Sequence, residues 1–470
     1  MAASTSSAAT ETQDQGTERK FPGGFWWGAA TAAYQIEGAV SEDGRTPCIW
    51  DTFAQTPGKV ANGDSGAPAA EHYFRYRDDV AMMADLGLGA YRFSVSWPRV
   101  RPRGGVTNGS GLDFYDRLVD ELLGKGIRPV ATLYHWDLPQ ELEDKGGWAN
   151  RETAERFAEY SNDVAARLGN RIALWNTLNE PWCSAFLGYG SGAHAPGRKN
   201  HADALKAVHH LLLGHGLATQ AIRANTTDAE IALVINAGVV RPVSDDPSDV
   251  DAARRIDGLL NRIFLDPVFK GAYPEDVIED TKAVIDWGHV EDGDLKIIAQ
   301  TIDGLGLNYY QPDLVGAAAP GTGDPHGPYP TGEKVAWHRI PGPRTEMDWP
   351  VDPTGLEEVL LRVKRDYGDI PLYITENGAA YPDQVVDGTV NDTDRIGFLN
   401  GHLKAAHEAL AKGANLRGYF VWSLMDNFEW ALGYGKRFGI VHVDYQTQVR
   451  TLKQSAHWYR DVITAGGLGH

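Results

Sequence analysis

At 470 residues, 42% hydrophobic and 23% charged, the chain has the composition of an ordinary globular protein with enough apolar residues for a large core. Its formal charge of −19 sets an acidic surface against nucleic acid and anionic membranes, so neither is expected as a partner, whereas a small neutral ligand is indifferent to that charge. Two cysteines, Cys48 and Cys183, make no disulfide framework and fit a reducing compartment; with no run of 18 apolar residues, a cytoplasmic protein is expected.

Residues 1–20 are rich in Ala, Ser, Thr and Gln, lack an apolar segment, and read as a disordered tail ahead of one domain spanning 21–470. From there strands and helices alternate. A first strand over 25–31 precedes a helix over 76–86, where Val80, Met83, Ala84 and Leu86 keep one stripe. The strand 91–96 is followed by an amphipathic helix, 112–123, stopped at Gly124. Strand 129–134 delivers His135 and leads to helix 153–168; strand 172–178 ends in Asn179-Glu180-Pro181 and leads to helix 202–224. Strand 231–236 and helix 250–269 come next, then strand 304–310 and a long Gly/Pro/Ala loop over 316–330. Helix 356–367 feeds the strand 370–375, which ends at Glu376 before Asn377-Gly378. Helix 394–410, strand 418–424 and helix 452–463 close the chain. Eight strands alternating with helices, without a linker or an internal repeat, imply an α/β fold of the (β/α)₈ TIM-barrel type. A doubly wound open sheet is the rival, but no Gly-rich phosphate loop follows an early strand.

In such a barrel the residues past the carboxyl ends of the strands converge on one face. Read off those positions, they are Gln35, Arg92, His135, Asn179, Glu180, Asn236, Asn308, Tyr310, Glu376, Trp422, Glu429 and Trp430, nearly all of them polar or aromatic hydrogen-bonding groups. Two of the strands each deliver a Glu at the end of an apolar run, where a carboxylate is costly unless paired. Two carboxyls at the mouth of a parallel barrel are the equipment of glycoside hydrolysis. His209, His210 and His215 have near-helical spacing but lie on an outer helix, where packing or surface positions are expected rather than a metal site.

Several long motifs carry a resemblance. The segment Phe25-Trp26-Trp27-Gly28-Ala29-Ala30-Thr31-Ala32-Ala33-Tyr34-Gln35-Ile36-Glu37-Gly38-Ala39, the motif Thr177-Leu178-Asn179-Glu180-Pro181, the motif Ile374-Thr375-Glu376-Asn377-Gly378 and the run from Trp422 to Trp430 resemble glycoside hydrolase family 1. The resemblance extends from about residue 21 to residue 459 and is nearest to the bacterial β-glucosidases. It implies a retaining β-glycosidase that needs no metal or organic cofactor and acts on a small neutral oligosaccharide or aryl glucoside.

By position, Glu376 is similar to the family's nucleophile and Glu180 to its acid/base. Arg92, Asn308 and Tyr310 match the groups around the nucleophile, Arg92 being the cation expected to hold its pKa down. Gln35, His135, Asn179, Glu429 and Trp430 match residues that bind the glycone, with Trp422 as the stacking platform and Asn179 as the partner of the 2-hydroxyl. Trp349 resembles the aromatic that stacks on the aglycone, but Asp348 and Pro350 beside it differ from the Gly and polar residue often found there. Glu429 would repel a 6-phosphate, and an intact Glu180 favours O-glycosides over thioglucosides. Asp137, past the third strand, is the next candidate for proton donor should Glu180 not be it.

Overall fold

A computed structural model of the protein describes residues 19–469. Eight parallel strands close on themselves: β1 (Trp26–Ala30), β2 (Ala90–Ser94), β3 (Arg128–Tyr134), β4 (Leu174–Asn179), β5 (Ile231–Asn236), β6 (Gly304–Asn308), β7 (Leu372–Asn377) and β8 (Leu416–Trp422), with β8 paired to β1. The main covering helices are α1 (His72–Asp85), α2 (Gly109–Gly124), α3 (Glu152–Leu168), α4 (His201–Asn225), α5 (Pro247–Asp257), α6 (Pro353–Tyr367), α7 (Thr393–Ala411) and α8 (Gln454–Ala465). The fold is a (β/α)₈ barrel.

Three features depart from the sequence reading. The helix expected over 250–269 widens after α5 into a π-helical turn, Gly258–Arg262, before continuing as Ile263–Lys270. The wide turn lets Asn261 satisfy both backbone groups of Gly238, accepting from its N–H at 3.2 Å and donating to its carbonyl at 2.9 Å. The loop expected over 316–330 begins inside a strand: Asp313–Ala317 pairs with Val240–Pro242 and Val335–Trp337 in a three-stranded sheet, whose strands are too short for a readable alternation. The boundary of the expected tail also moves. Arg19 and Lys20 pair with Leu468 and Gly467 in a two-stranded ribbon, and Arg19 donates to Glu408 at 3.1 Å, so these two residues belong to the folded domain. Residues 1–18 lie outside the described residues.

Inside the barrel, Ala90, Val130, Leu174, Ala232, Tyr373 and Phe420 pack with Ala30 and Trp422 as one apolar cluster. Gly28 is required here, since a Cβ would run into the Phe420 ring. Two residues further along their strands, on the same face by the period of two, stand Arg92, Thr132, Asn176 and Thr375, all buried. The barrel therefore turns from an apolar floor to a polar layer along the same strands.

Candidate active site

Simple alternation would leave Glu376 and Asn179 on the wrong face. On β7, Tyr373 and Thr375 face the interior, so Glu376 would point outward; the pairing shifts register between Ile374 and Glu376 against β6, and between Ile374 and Asn377 against β8. On β4 the pairing with β5 shifts between Asn176 and Asn179. Such irregularities re-aim side chains. Here they turn Asn179 and Glu376 into the barrel mouth. Glu180 follows with a φ of +45°, a left-handed backbone that a residue with a Cβ seldom adopts. Gly378 lets the end of β7 pass β8, because a Cβ there would overlap the Trp422 carbonyl.

The buried polar groups form one connected chain whose orientation follows from Arg92. A guanidinium only donates. Arg92 Nη1 donates to Glu376 Oε1 at 2.6 Å, and Nη2 to Asn179 Oδ1 at 2.6 Å. With its oxygen so committed, Asn179 presents its amide N–H to His135 Nε2 at 3.0 Å. The His135 proton therefore sits on Nδ1, which has no protein partner. Asn308 must also present N–H to Asn179 Oδ1 (3.0 Å), and the same nitrogen donates to Glu180 Oε1 at 2.7 Å, while Asn308 Oδ1 accepts from Thr375 at 2.7 Å. Tyr310 donates to the second oxygen of Glu376 at 2.6 Å.

Glu180 and Glu376 line a cavity of about 340 Å³ that is also walled by His135, Asn308, Tyr310, Trp349, Trp422, Glu429 and Trp430. Arg92, Asn179 and Gln35 stand just behind this wall, fully buried. Gln35 is clamped by donating to Asn427 Oδ1 and the Phe428 carbonyl, which leaves its Oε1 without a partner. Glu429 Oε2 and Asn236 Oδ1 are likewise buried without protein partners. Buried polar atoms are nearly always paired; a set of them around one cavity fits a ligand rich in hydroxyls. His135 lies near-parallel to Trp422 and Trp430, each ring centroid 6.0 Å away. Of the strand-end residues read from the sequence, all but Gln35, Arg92 and Asn179 line this cavity, and Trp349 lines it with them. Asp137 is the exception among the alternatives: it is buried near Arg45 and Glu37, burial pushes it up to about 7, and it is not among the cavity's lining residues.

The electrostatics separate the two carboxyls. Burial, then the neighbouring Glu376 charge, raise Glu180 to about 7. Burial also raises Glu376, so Arg92 does not hold it below the ordinary value as expected; the Arg92 charge and the donors Tyr310, Arg92 and Asn308 only pull it part of the way back. With a cation on one of its oxygens and a phenol on the other, Glu376 is the member that ionises first. Burial and the two glutamates push Glu429 to about 8, so the repulsion expected of it toward a phosphate is weaker than the sequence implies. His135 is held neutral by burial and by Arg92.

Several lining residues escaped the sequence reading. Trp136, whose ring N–H donates to the Asn179 carbonyl at 2.9 Å, has a φ of +75° that alternation would not place. Cys183 donates to Glu180 Oε2 at 3.1 Å; its spacing of three residues from Glu180, one helical turn, was the available signal. Trp182, Asp313, Tyr329 and Trp337 come from segments far apart in the chain. In the Trp349 loop, Asp348 takes a φ of +58°, the conformation a Gly adopts freely, and its carboxylate is held by Arg339 and Arg344. The histidines of α4 are packing residues: His209 contacts Asp294 and Tyr273, His210 the Trp148 carbonyl, and His215 Thr177.

A TIM barrel with two buried carboxyls at its carboxyl-terminal mouth, faced by unpaired hydroxyl-binding groups and Trp rings, defines a glycoside hydrolase site. The chain belongs to glycosyl hydrolase family 1, whose family model matches residues 17–468. It is 51% identical to a thermostable beta-glucosidase B of Thermobispora bispora, over 97% of this chain and 93% of that protein. It is 49% identical to a bifunctional beta-D-glucosidase/beta-D-fucosidase of Bifidobacterium breve, over 94% and 98%. Among solved structures, a family 1 β-glucosidase from Thermotoga maritima superposes with a TM-score of 0.92 at 45% identity, covering 97% of this chain and 100% of that one.

Proposed function

We propose that the protein is a retaining β-glucosidase that removes terminal β-linked glucose from cello-oligosaccharides and from aryl and alkyl β-glucosides. Glu376 acts as the nucleophile and Glu180 as the acid/base. The observation that carries this reading is the unequal supply of donors. The oxygens of Glu376 are held by a guanidinium and a phenol, whereas Glu180, with an amide and a thiol on its oxygens, is raised to about 7 and is substantially protonated at neutral pH. In the first step a Glu376 oxygen bonds to the anomeric carbon, the glycosidic C–O bond breaks, and the Glu180 proton passes to the departing oxygen. Glu376 is then an ester without charge, which removes one of the causes that raise Glu180. Glu180 becomes a competent base, takes a proton from water, and the water oxygen displaces Glu376. The sugar meets Gln35, His135, Asn179, Glu429 and Trp430 over Trp422, and the aglycone meets Trp349.

The β-glucosidase names of the relatives support glucose as the glycone, and solved Thermotoga maritima relatives bind glucoimidazole and deoxynojirimycin. The working compartment we assign is the cytoplasm: both cysteines are free, and among the described residues no helix is long and apolar enough to cross a membrane. The test is Glu376→Ala. Hydrolysis of an aryl glucoside should fall to background, and added azide or formate should restore turnover with an α-configured product. A well-folded Glu376→Ala protein that still hydrolyses the glucoside without added anion would refute the assignment. The aryl β-fucoside and β-galactoside belong in the same panel and rank the glycones.

A further inference from the structure

Cys183 opens the π-helical segment Cys183–Ser191 that follows Asn179-Glu180-Pro181. Its thiol is buried, lines the cavity, and lies with Sγ 3.1 Å from Oε2 of Glu180. The other carboxyl oxygen, Oε1, accepts N–H from Asn308, and that amide is locked by the commitment of Asn179 Oδ1 to Arg92. A proton on Oε1 would oppose that N–H. Glu180 therefore carries its proton on Oε2, so the oxygen that exchanges a proton with substrate is the one the thiol touches.

We infer that Cys183 is a positioning residue for the acid/base, its thiol holding Oε2 of Glu180 and stabilising the carboxylate that Glu180 becomes between the two steps of the reaction. This rests on the reading of Glu180 as acid/base. A thiol is a weak donor and a weak acceptor, so it fits Oε2 in either protonation state; an alkyl group fits neither. When Glu180 passes its proton to the departing oxygen, as the C–O bond breaks and the bond to Glu376 forms, Oε2 is left accepting the S–H. When water attacks, its proton goes to Oε2 and its oxygen to the anomeric carbon, and Glu376 is released. Cys183 keeps its own proton throughout. Burial and the Glu180 charge push the thiol well above its ordinary value, so that proton is available at working pH. The other groups acting on Glu180 are the negative charge of Glu376 and the positive charge of Arg92, with Glu180 in turn acting on Tyr310 and Glu429. Among them Cys183 donates to the charged form and so works with Asn308 and Arg92 against the rise caused by burial and Glu376.

The experiment is the pH dependence of kcat/KM on cellobiose for the wild type, Cys183→Val, Cys183→Ala, Cys183→Ser and Glu180→Gln. Loss of a weak donor to a charged acceptor should move the basic limb of Cys183→Val and Cys183→Ala up by roughly half a pH unit. Cys183→Ser, which keeps a donor and acceptor, should return the limb to the wild-type position or below. Val overfills the site where Ala leaves a gap, so a packing defect would separate the two in rate but not in the position of the limb. Limbs of Val, Ala and Ser variants that all coincide with the wild type overturn the inference, whatever the rates do. The Glu180→Gln profile tells which idea has failed. If its basic limb vanishes while those of the Cys183 variants stay put, only the role of Cys183 falls; if its basic limb persists, Glu180 is not the proton donor and both readings fall.

Discussion

Arg92 sets the hydrogen-bond polarity of the whole site. Because it only donates, it commits Asn179 Oδ1, and that commitment propagates to the His135 tautomer, to the Asn308 amide and to the oxygen on which Glu180 carries its proton. Replacing it by Met removes the nearest positive charge from Glu376, whose pKa must rise. With Glu376 as the proposed nucleophile, the acidic limb of kcat/KM reports its ionisation and should then move to higher pH. Loss of orientation should cost on the order of 10²-fold or more in rate. A pH profile of Arg92→Met with an unmoved acidic limb would show that Glu376 does not depend on this cation.

At the scale of elements, the site depends on irregular strand ends and on the loop after β8. That loop carries Asp426, Asn427 and Glu429, and Asn427 in turn clamps Gln35. Asp426 is fully buried and accepts from Lys453 Nζ at 2.7 Å and from Arg437 Nη1 at 2.6 Å. Lys453 also pairs with Asp383, whose two oxygens Arg395 holds as well. Breaking a buried pair by removing one partner leaves an uncompensated charge. Lys453→Met should therefore lower stability by about 3 kcal/mol, read as a shifted urea midpoint, and raise KM for aryl glucosides because the Glu429 loop is no longer anchored. An unchanged midpoint and KM would show that Arg437 and Arg395 are sufficient to neutralise the two aspartates.

At the scale of the whole molecule, two sets of buried groups oppose one another in their response to pH. His194, His210, His215, His289 and His402 are each pushed down to about 4 by burial. The unfolded chain binds protons at these sites below about pH 6.5, before the folded one does, so they weaken the fold as pH drops from there to about 4. Asp137, Asp313, Glu180 and Glu429, raised to about 7, 6, 7 and 8, act in the opposite sense. The fold keeps their protons where the unfolded chain has lost them, so between about pH 4.5 and these values acidification strengthens it. Below about pH 4.5 that compensation ends, since both states are then protonated, while the histidines still differ and the unfolded chain begins to take up protons at Asp276 and Asp294, which their ion pairs keep charged in the fold. Urea midpoints should change little between pH 5 and 7 and fall steeply below pH 4.5. A steady decline from pH 7 downward would mean that the raised carboxyls are not protonated in the fold.

The regular part of the architecture was legible in the sequence, because barrel strands buried on both faces read as short apolar runs and the covering helices keep an apolar stripe with a period near 3.6. The strands ending at Glu180 and Glu376, and the polar residues at the strand ends, needed no structure to be found. Short elements were missed: the strands Arg19–Lys20 and Val335–Trp337 are too short to show a pattern, and Asp313–Ala317 runs into the Gly/Pro/Ala-rich stretch that masks its end. Which oxygen of Glu180 holds the proton, which way Asn308 faces, and how Cys183 meets the carboxyl were settled only when Arg92 of β2, Asn179 of β4, Asn308 of β6 and Glu376 of β7 came together. The sequence determined the barrel and the chemical groups at its mouth, because periodicity and residue type are local properties of the chain. The tertiary structure decided the direction in which those groups point, because the register shifts on β4 and β7 that turn Asn179 and Glu376 inward are relations between neighbouring strands, and a single strand's sequence does not contain them.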